Sequence, residues 1–214
     1  MFKKKPFFVV FEGVEGCGKS FQAKKLYKKL KKIKIETILT REPGGTKSSE
    51  LIRNLILKDY FTKDIKEKFD KYTDTLLYLA ARNEHVKNKI KPALLKKKVV
   101  ICDRFIDSTI AYQVYGKKVD RKFINDIHKK ILGKIKPNLV FILKVSAKSS
   151  KLRLKKRKSK NRYDNFAQSF YTNAQKSFLK IAKNRKNYFV LNSSSNDDLL
   201  EKNIFRIVKK YLNI

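Results

Sequence analysis

With 214 residues, 42% of them hydrophobic, the chain is long enough for one domain with a real core and is not disordered by composition. No run approaches the ~18–20 uncharged apolar residues of a membrane span. Lysine and arginine (54) outnumber aspartate and glutamate (19) for a net charge of +35, but the basic residues are spread along the chain rather than gathered in a stripe with stacking aromatics, so a dedicated nucleic-acid partner is not expected.

The chain opens "MFKKKPFFVVFEGVEG". A basic start and a short apolar run resemble a secretory signal, but Glu12 interrupts the run and a glycine loop follows. The segment 7–12 therefore reads as a first strand, and the expected location is cytoplasmic. Residues 13–20, "GVEGCGKS", hold three of the seven glycines and fit G-x-x-x-x-G-K-[ST] between that strand and a helix with apolar Ala23, Leu26, Tyr27 and Leu30. In such a loop (Gly13, Val14, Glu15, Gly16, Cys17, Gly18, Lys19, Ser20) bare backbone N–H groups turn onto phosphate oxygens. The helix dipole adds to this, Lys19 reaches the β- and γ-phosphates and the Ser20 hydroxyl ligates Mg²⁺. ATP and Mg²⁺ are the expected cofactors. No glycine has an aspartate three residues before it, and "NKIK" at 88–91 ends in lysine, so a GTPase is not expected. Cys17 and Cys102 lack CxxC or zinc spacing and read as small residues in tight places.

Further strands are expected at 36–40, 99–103, 138–143 and 188–192, each apolar with little alternation, as in strands buried on both faces of a parallel sheet. After the second comes "TREPGGT", with Arg41 and two more glycines. Helical spacing of Leu76, Leu77, Ala80 and Ala81 places Tyr78 and Arg82 on one face, a stacking ring beside guanidinium donors. The third strand ends at Asp103, a Walker-B position near Mg²⁺, and Arg104 follows at the ligand-binding edge of the sheet. Ser108 with Tyr112, and Thr109 with Gln113, form i,i+4 pairs that offer hydroxyl, phenol and amide groups to a nucleobase and sugar. His85 and His128 have no partnered constellation in the sequence. A Lys/Arg/Ser-rich stretch at 148–160 reads as mobile, and "DDLLEKNIFRIVKKYL" as a final helix that Asp197 or Asp198 could cap.

In this order, GxEGxGK[ST], REPGGT, LxxxAARxxH and DRxxxSxxAYQ, the chain resembles the thymidylate kinase family over nearly its whole length. The resemblance implies transfer of the ATP γ-phosphate to dTMP with Mg²⁺, and a homodimer. It implies that Glu15 lies near the acceptor sugar and the metal, that Arg104 binds the acceptor phosphate, that Tyr78 stacks on thymine and that Arg82 meets a thymine carbonyl. It further implies that Thr109 and Gln113 contact the base, that Tyr112 crowds the 2′ position, and that Arg53 matches a recurring arginine. The phosphate loop carries no arginine, so the lid is expected to supply one, Arg153 or Arg162. Lys144 stands where the family commonly has Asp, and "SAKSS" replaces the usual Pro-Glu start of the lid.

The expectation is a single domain, 1–214, of α/β class: a P-loop NTPase fold, three-layer α/β/α, with a five-stranded parallel sheet and a short mobile lid at about 146–165. The expected activity is phosphorylation of dTMP. The alternatives are a kinase for dUMP or dCMP, or a basic nucleic-acid-dependent ATPase.

Overall fold

The computed structural model describes residues 5–57, 69–156, 168–194 and 198–214. In chain order the elements are β1 (Phe7–Glu12), α1 (Lys19–Lys32), β2 (Thr37–Arg41), α2 (Lys47–Leu57) and α3 (Lys71–His85), which runs into a π-helical turn (Val86–Ile90) and α4 (Lys91–Leu95). They continue with β3 (Val99–Asp103), α5 (Ile106–Thr109), a second π-helical stretch (Ile110–Gly116), α6 (Arg121–Leu132), β4 (Leu139–Lys144), α7 (Ala147–Lys155), α8 (Gln168–Ala182), β5 (Tyr188–Asn192) and α9 (Asp198–Leu212).

All five strands are parallel, in the order β2-β3-β1-β4-β5. Continuous apolar runs bury β1 completely and β3 and β4 up to their last residue, because these strands have a neighbour on each side and helices against the sheet. The outer strands β2 and β5 are only partly buried, with Val190 45% exposed. Equally apolar sequences thus hide an edge position that composition does not mark. Phe11 stacks on Phe141 at 5.2 Å across the central strands, and Phe8 meets Phe105 edge-on at 5.0 Å. The stripe read for α1 holds: Ala23, Leu26 and Leu30 are buried. Glu201 of α9 ties that helix to α1 through Lys25 (3.0 Å) and Lys29 (2.9 Å).

Helix α3 departs from its expected face. Leu76 is 47% exposed and Ala80 is exposed, while Asp74, Thr75, Leu79, Ala81, Arg82 and His85 are buried. The inward side of this helix is polar because it meets hydrogen-bonding partners, and an apolar-periodicity reading assigns such a face to solvent. The final helix begins at Asp198; Asp197 lies outside the described residues.

Candidate active site

Three parallel strands end side by side, and the register pairs Phe11 with Asp103 and Asp103 with Arg41. Everything that follows β1, β2 and β3 in sequence therefore opens onto the same edge, where open α/β sheets bind ligands. The loop after β1 carries Gly13 at φ 136° and Gly16 at φ 70°. A Cβ at Gly13 would lie 2.6 Å from the Leu143 carbonyl oxygen, and one at Gly16 2.8 Å from that of Ser150. Both positions need glycine for conformation and for space. Lys19 Nζ donates to the carbonyls of Gly13 (2.9 Å) and Val14 (2.7 Å), so its ammonium lies inside the loop. Ser20 donates its hydroxyl proton to Asp103 Oδ2. The other carboxylate oxygen of Asp103, Oδ1, is buried without a hydrogen-bond partner among the described residues.

The turn after β3 aims Arg104. This residue has φ 72°, a left-handed conformation unusual for a side chain of its size, and its N–H bonds Phe11 O at 2.9 Å. Glu12, the last residue of β1, holds the turn from beneath. Its carboxylate accepts from Phe105 N (2.8 Å), Ser108 N (3.2 Å) and Ser108 Oγ (2.5 Å). The Arg104 guanidinium donates to Gly13 O (3.0 Å), Ser108 Oγ (3.0 Å) and Glu15 Oε1 (2.6 Å), and lies 5.3 Å from the centre of the Tyr112 ring. The Tyr112 hydroxyl donates to Glu15 Oε2 at 2.7 Å. Burial pushes the Glu15 carboxyl up, but Arg104, Lys19 and the Tyr112 hydroxyl outweigh it, and the group ends below the usual carboxylate range. Burial and the nearby Asp107 carboxylate raise Glu12 to about 8.

The opposite wall is a second network. Arg82 donates from Nε to Glu42 Oε2 (2.7 Å), from Nη1 to Thr109 Oγ1 (2.8 Å) and His128 Nε2 (2.7 Å), and from Nη2 to Phe105 O (2.9 Å). Among the described residues four of its five N–H donors are thereby used, leaving one on Nη2. The other Glu42 oxygen pairs with His85 Nδ1 at 3.0 Å, and His85 Nε2 meets Thr40 Oγ1 at 2.6 Å. Burial works against the Glu42 charge, yet Arg82 and His85 hold its carboxyl below the usual range. Both histidines are thus partnered, against the sequence reading that found no constellation for either. His85 lies three residues after Arg82 on one helix, a spacing that could have flagged it, whereas the partnership of His128 has no local signal. Glu42, inside "TREPGGT", likewise carries no local signal of its pairing with Arg82 and His85.

Between the walls lies a cavity of about 540 Å³. Of the residues singled out from sequence, Glu15, Gly16, Gly18, Lys19, Ser20, Arg41, Arg53, Tyr78, Arg82, Asp103, Arg104, Ser108, Thr109, Tyr112, Gln113 and Arg153 line it. Gly13, Val14 and Cys17 do not; they are buried in the loop that shapes it. Arg53 donates to Pro43 O at 2.6 Å, and Arg41 pairs with Glu50 at 3.1 Å. Gln113 Nε2 is buried without a partner among the described residues. Phe21, Glu42, Pro43, Leu57 and Leu154 complete the lining. A smaller cavity of about 190 Å³ lies beside the loop, lined by Cys17, Gly18, Phe21, Gln22, Arg153, Ser193 and Leu200. Arg153 of α7 borders both and donates to Gly16 O (3.2 Å) and Ser194 O (3.3 Å). Arg162 and the rest of the expected lid from 157 to 165 lie outside the described residues.

The same order of motifs recurs in known proteins. A sequence model of the family "Thymidylate kinase" matches residues 11–204. A thymidylate kinase from Wolbachia sp. subsp. Brugia malayi is 45% identical over 180 residues, covering 83% of this chain and 82% of the relative. One from Pelotomaculum thermopropionicum is 34% identical over 96% of this chain and 94% of its own. The crystal structure of thymidylate kinase from Ehrlichia chaffeensis superposes with a TM-score of 0.75 at 31% identity, covering 95% of this chain and 99% of that one. With a phosphate loop after β1, an arginine-bearing turn after β3 and this breadth of likeness, the chain belongs to the thymidylate kinase family.

Proposed function

We propose that the chain, acting as a single catalytic domain, transfers the γ-phosphoryl group of ATP to dTMP, giving dTDP and ADP. The observation that carries this reading is the meeting of two anion grips in one cavity. The phosphate loop and the Arg104 guanidinium are joined by the 3.0 Å bond from Arg104 to Gly13 O, so a donor triphosphate and an acceptor phosphate held there would be neighbours.

The loop N–H groups and Lys19 bind the donor phosphates. Ser20 and Asp103 fit Mg²⁺: both offer oxygen ligands of the kind that ion prefers, and Asp103 Oδ1 is buried without a partner among the described residues. Held by Ser20 and Asp103, Mg²⁺ would neutralise charge on the donor phosphates. An oxygen of the dTMP phosphate attacks the γ-phosphorus as the bond to the β-phosphate oxygen breaks, so the protein positions and neutralises rather than forming covalent bonds. Arg104 and, beside it, Arg53 and Arg41 present guanidinium groups at this cavity for the acceptor phosphate. Glu15, on Arg104 and Tyr112, faces the acceptor sugar. A lid arginine, Arg153 on α7 or Arg162, clamps the triphosphate. Tyr78 gives the base a stacking face. The remaining Nη2 N–H of Arg82 and the unpartnered Nε2 of Gln113 are donors, matching a pyrimidine with oxygen at C4. Cytosine carries an amino donor there, so dCMP leaves donors facing donors.

Release of ADP in a coupled assay tests this across dTMP, dUMP and dCMP. The expected order puts dTMP first and dCMP last. Equal use of dTMP and dCMP refutes base reading by Arg82 and Gln113. ATP turnover that rises with nucleic acid but not with dTMP refutes the kinase assignment. No helix among the described residues is long and apolar enough to cross a membrane, which fits a cytoplasmic setting. A homodimer is supported by exposed apolar side chains on the adjacent helices α2 (Leu51, Leu55) and α3 (Leu76).

A further inference from the structure

Arg82 is held by groups from separate parts of the chain: Glu42 after β2, Phe105 and Thr109 around α5, and His128 on α6. His128 stands apart from the rest. Helix α6 contributes no residue to the wall of the large cavity, yet this one imidazole reaches Arg82 at 2.7 Å, where Arg82 is 3% and His128 7% exposed. A guanidinium has donors only, so His128 Nε2 must accept and the ring proton must sit on Nδ1.

We propose that His128 is a positioning residue for base selection: by accepting from Arg82 Nη1 it turns the guanidinium so that one Nη2 N–H, and no other, faces the acceptor base. The inference rests on Arg82 reading the base. Each of the other three holds fixes a different N–H, and Nη1 has two. Without the imidazole the second Nη1 hydrogen would be a buried donor facing no acceptor, and the guanidinium would gain by turning as a rigid plane to satisfy it, carrying its Nη2 N–H off the base. The imidazole closes that option without adding charge. Burial first, and the guanidinium beside it second, push its pKa down to about 3, so the ring stays a neutral acceptor wherever the enzyme is folded and working.

The test compares His128→Leu, which removes the acceptor, with His128→Gln, whose amide oxygen can take the place of Nε2, and with Arg82→Lys. A hydrogen bond to a charged group is worth about 1.5–3 kcal/mol, so His128→Leu should raise KM for dTMP ~10–100-fold. It should also narrow the preference for dTMP over dCMP and leave KM for ATP within about twofold, while His128→Gln stays close to the parent. If Arg82→Lys leaves the base preference intact, the reading of Arg82 itself is wrong. If Arg82→Lys collapses that preference but His128→Leu does not, or if His128→Gln fares no better than His128→Leu, the role given to His128 is overturned. A measurement on the unaltered protein covers the case in which a variant fails to fold. Nitrogen-15 NMR should show His128 with a bare Nε2 and a protonated Nδ1 at neutral pH; a proton on Nε2 would contradict the proposal.

Discussion

Glu12 shows how much a single buried carboxyl can carry. It ends β1, is wholly buried, and makes three hydrogen bonds with the turn that bears Arg104. Burial and Asp107 raise its pKa from 4.5 to about 8, so between those values the folded chain holds a proton that the unfolded chain has released. The contribution of Glu12 to stability is therefore full below pH 4.5, declines as pH rises, and is gone above pH 8. Glu15 and Glu42 act in the opposite sense: their lowered pKa values give stability that is present above the unfolded pKa and lost on acidification. Denaturant melts of the parent and of Glu12→Gln, subtracted at each pH from 5 to 9, isolate the Glu12 part. Stability of the parent relative to the variant should fall across that range, and a flat difference would contradict the raised pKa. The residues legible in the sequence were those with a chemical reason tied to local spacing: Lys19, Ser20, Asp103, Arg104. Glu12, Glu42, His85 and His128 act through partners 40 or more positions away in sequence, and such pairings exist only once the chain is folded.

At the level of elements, parallel strands and their ends were readable to within a residue, because buried β-branched and aromatic runs have few other uses. The faces of α3 were not, since its inward side carries Asp74, Arg82 and His85. The π-helical stretch Ile110–Gly116 was not legible either; its wider turn still brings Tyr112 and Gln113 to the same cavity as Thr109, which precedes it. Helix α7 opens the stretch expected to act as a lid. Ser150 Oγ donates to Glu15 O at 2.9 Å and Arg153 to Gly16 O at 3.2 Å, so this helix is stitched to the phosphate loop by the loop's own carbonyls. Arg153→Ala and Arg162→Ala, made separately, should show which cation serves the migrating phosphoryl. One of the two is expected to lose ~10³-fold or more in kcat with KM for dTMP changed little. Full turnover in both would remove the lid arginines from the mechanism.

For the whole molecule the charge of +35 sets the terms of association. Two copies repel over their entire surfaces, and an apolar contact must outweigh that repulsion. Leu51 is 69% exposed, Leu76 47% and Leu55 42%, on helices that pack against each other. If these side chains form the contact between copies, added salt should strengthen the dimer by screening like charge, and Leu51→Lys should give a monomer by light scattering. A dimer that survives Leu51→Lys unchanged would place the contact elsewhere. Little of this was written in the sequence as a motif; helical spacing alone gives Leu76 to a core-facing side, and the fold turns it outward.

Glu15 leaves one consequence to draw. Its carboxylate spans Arg104 and Tyr112, so an incoming phosphate meets a guanidinium whose charge is already balanced. Docking at Arg104 then adds a second anion to a guanidinium that already holds one, rather than quenching a bare cation. Such docking discriminates by shape more than by charge, so sulfate and other small oxyanions should make poor competitors despite a surface that draws them in.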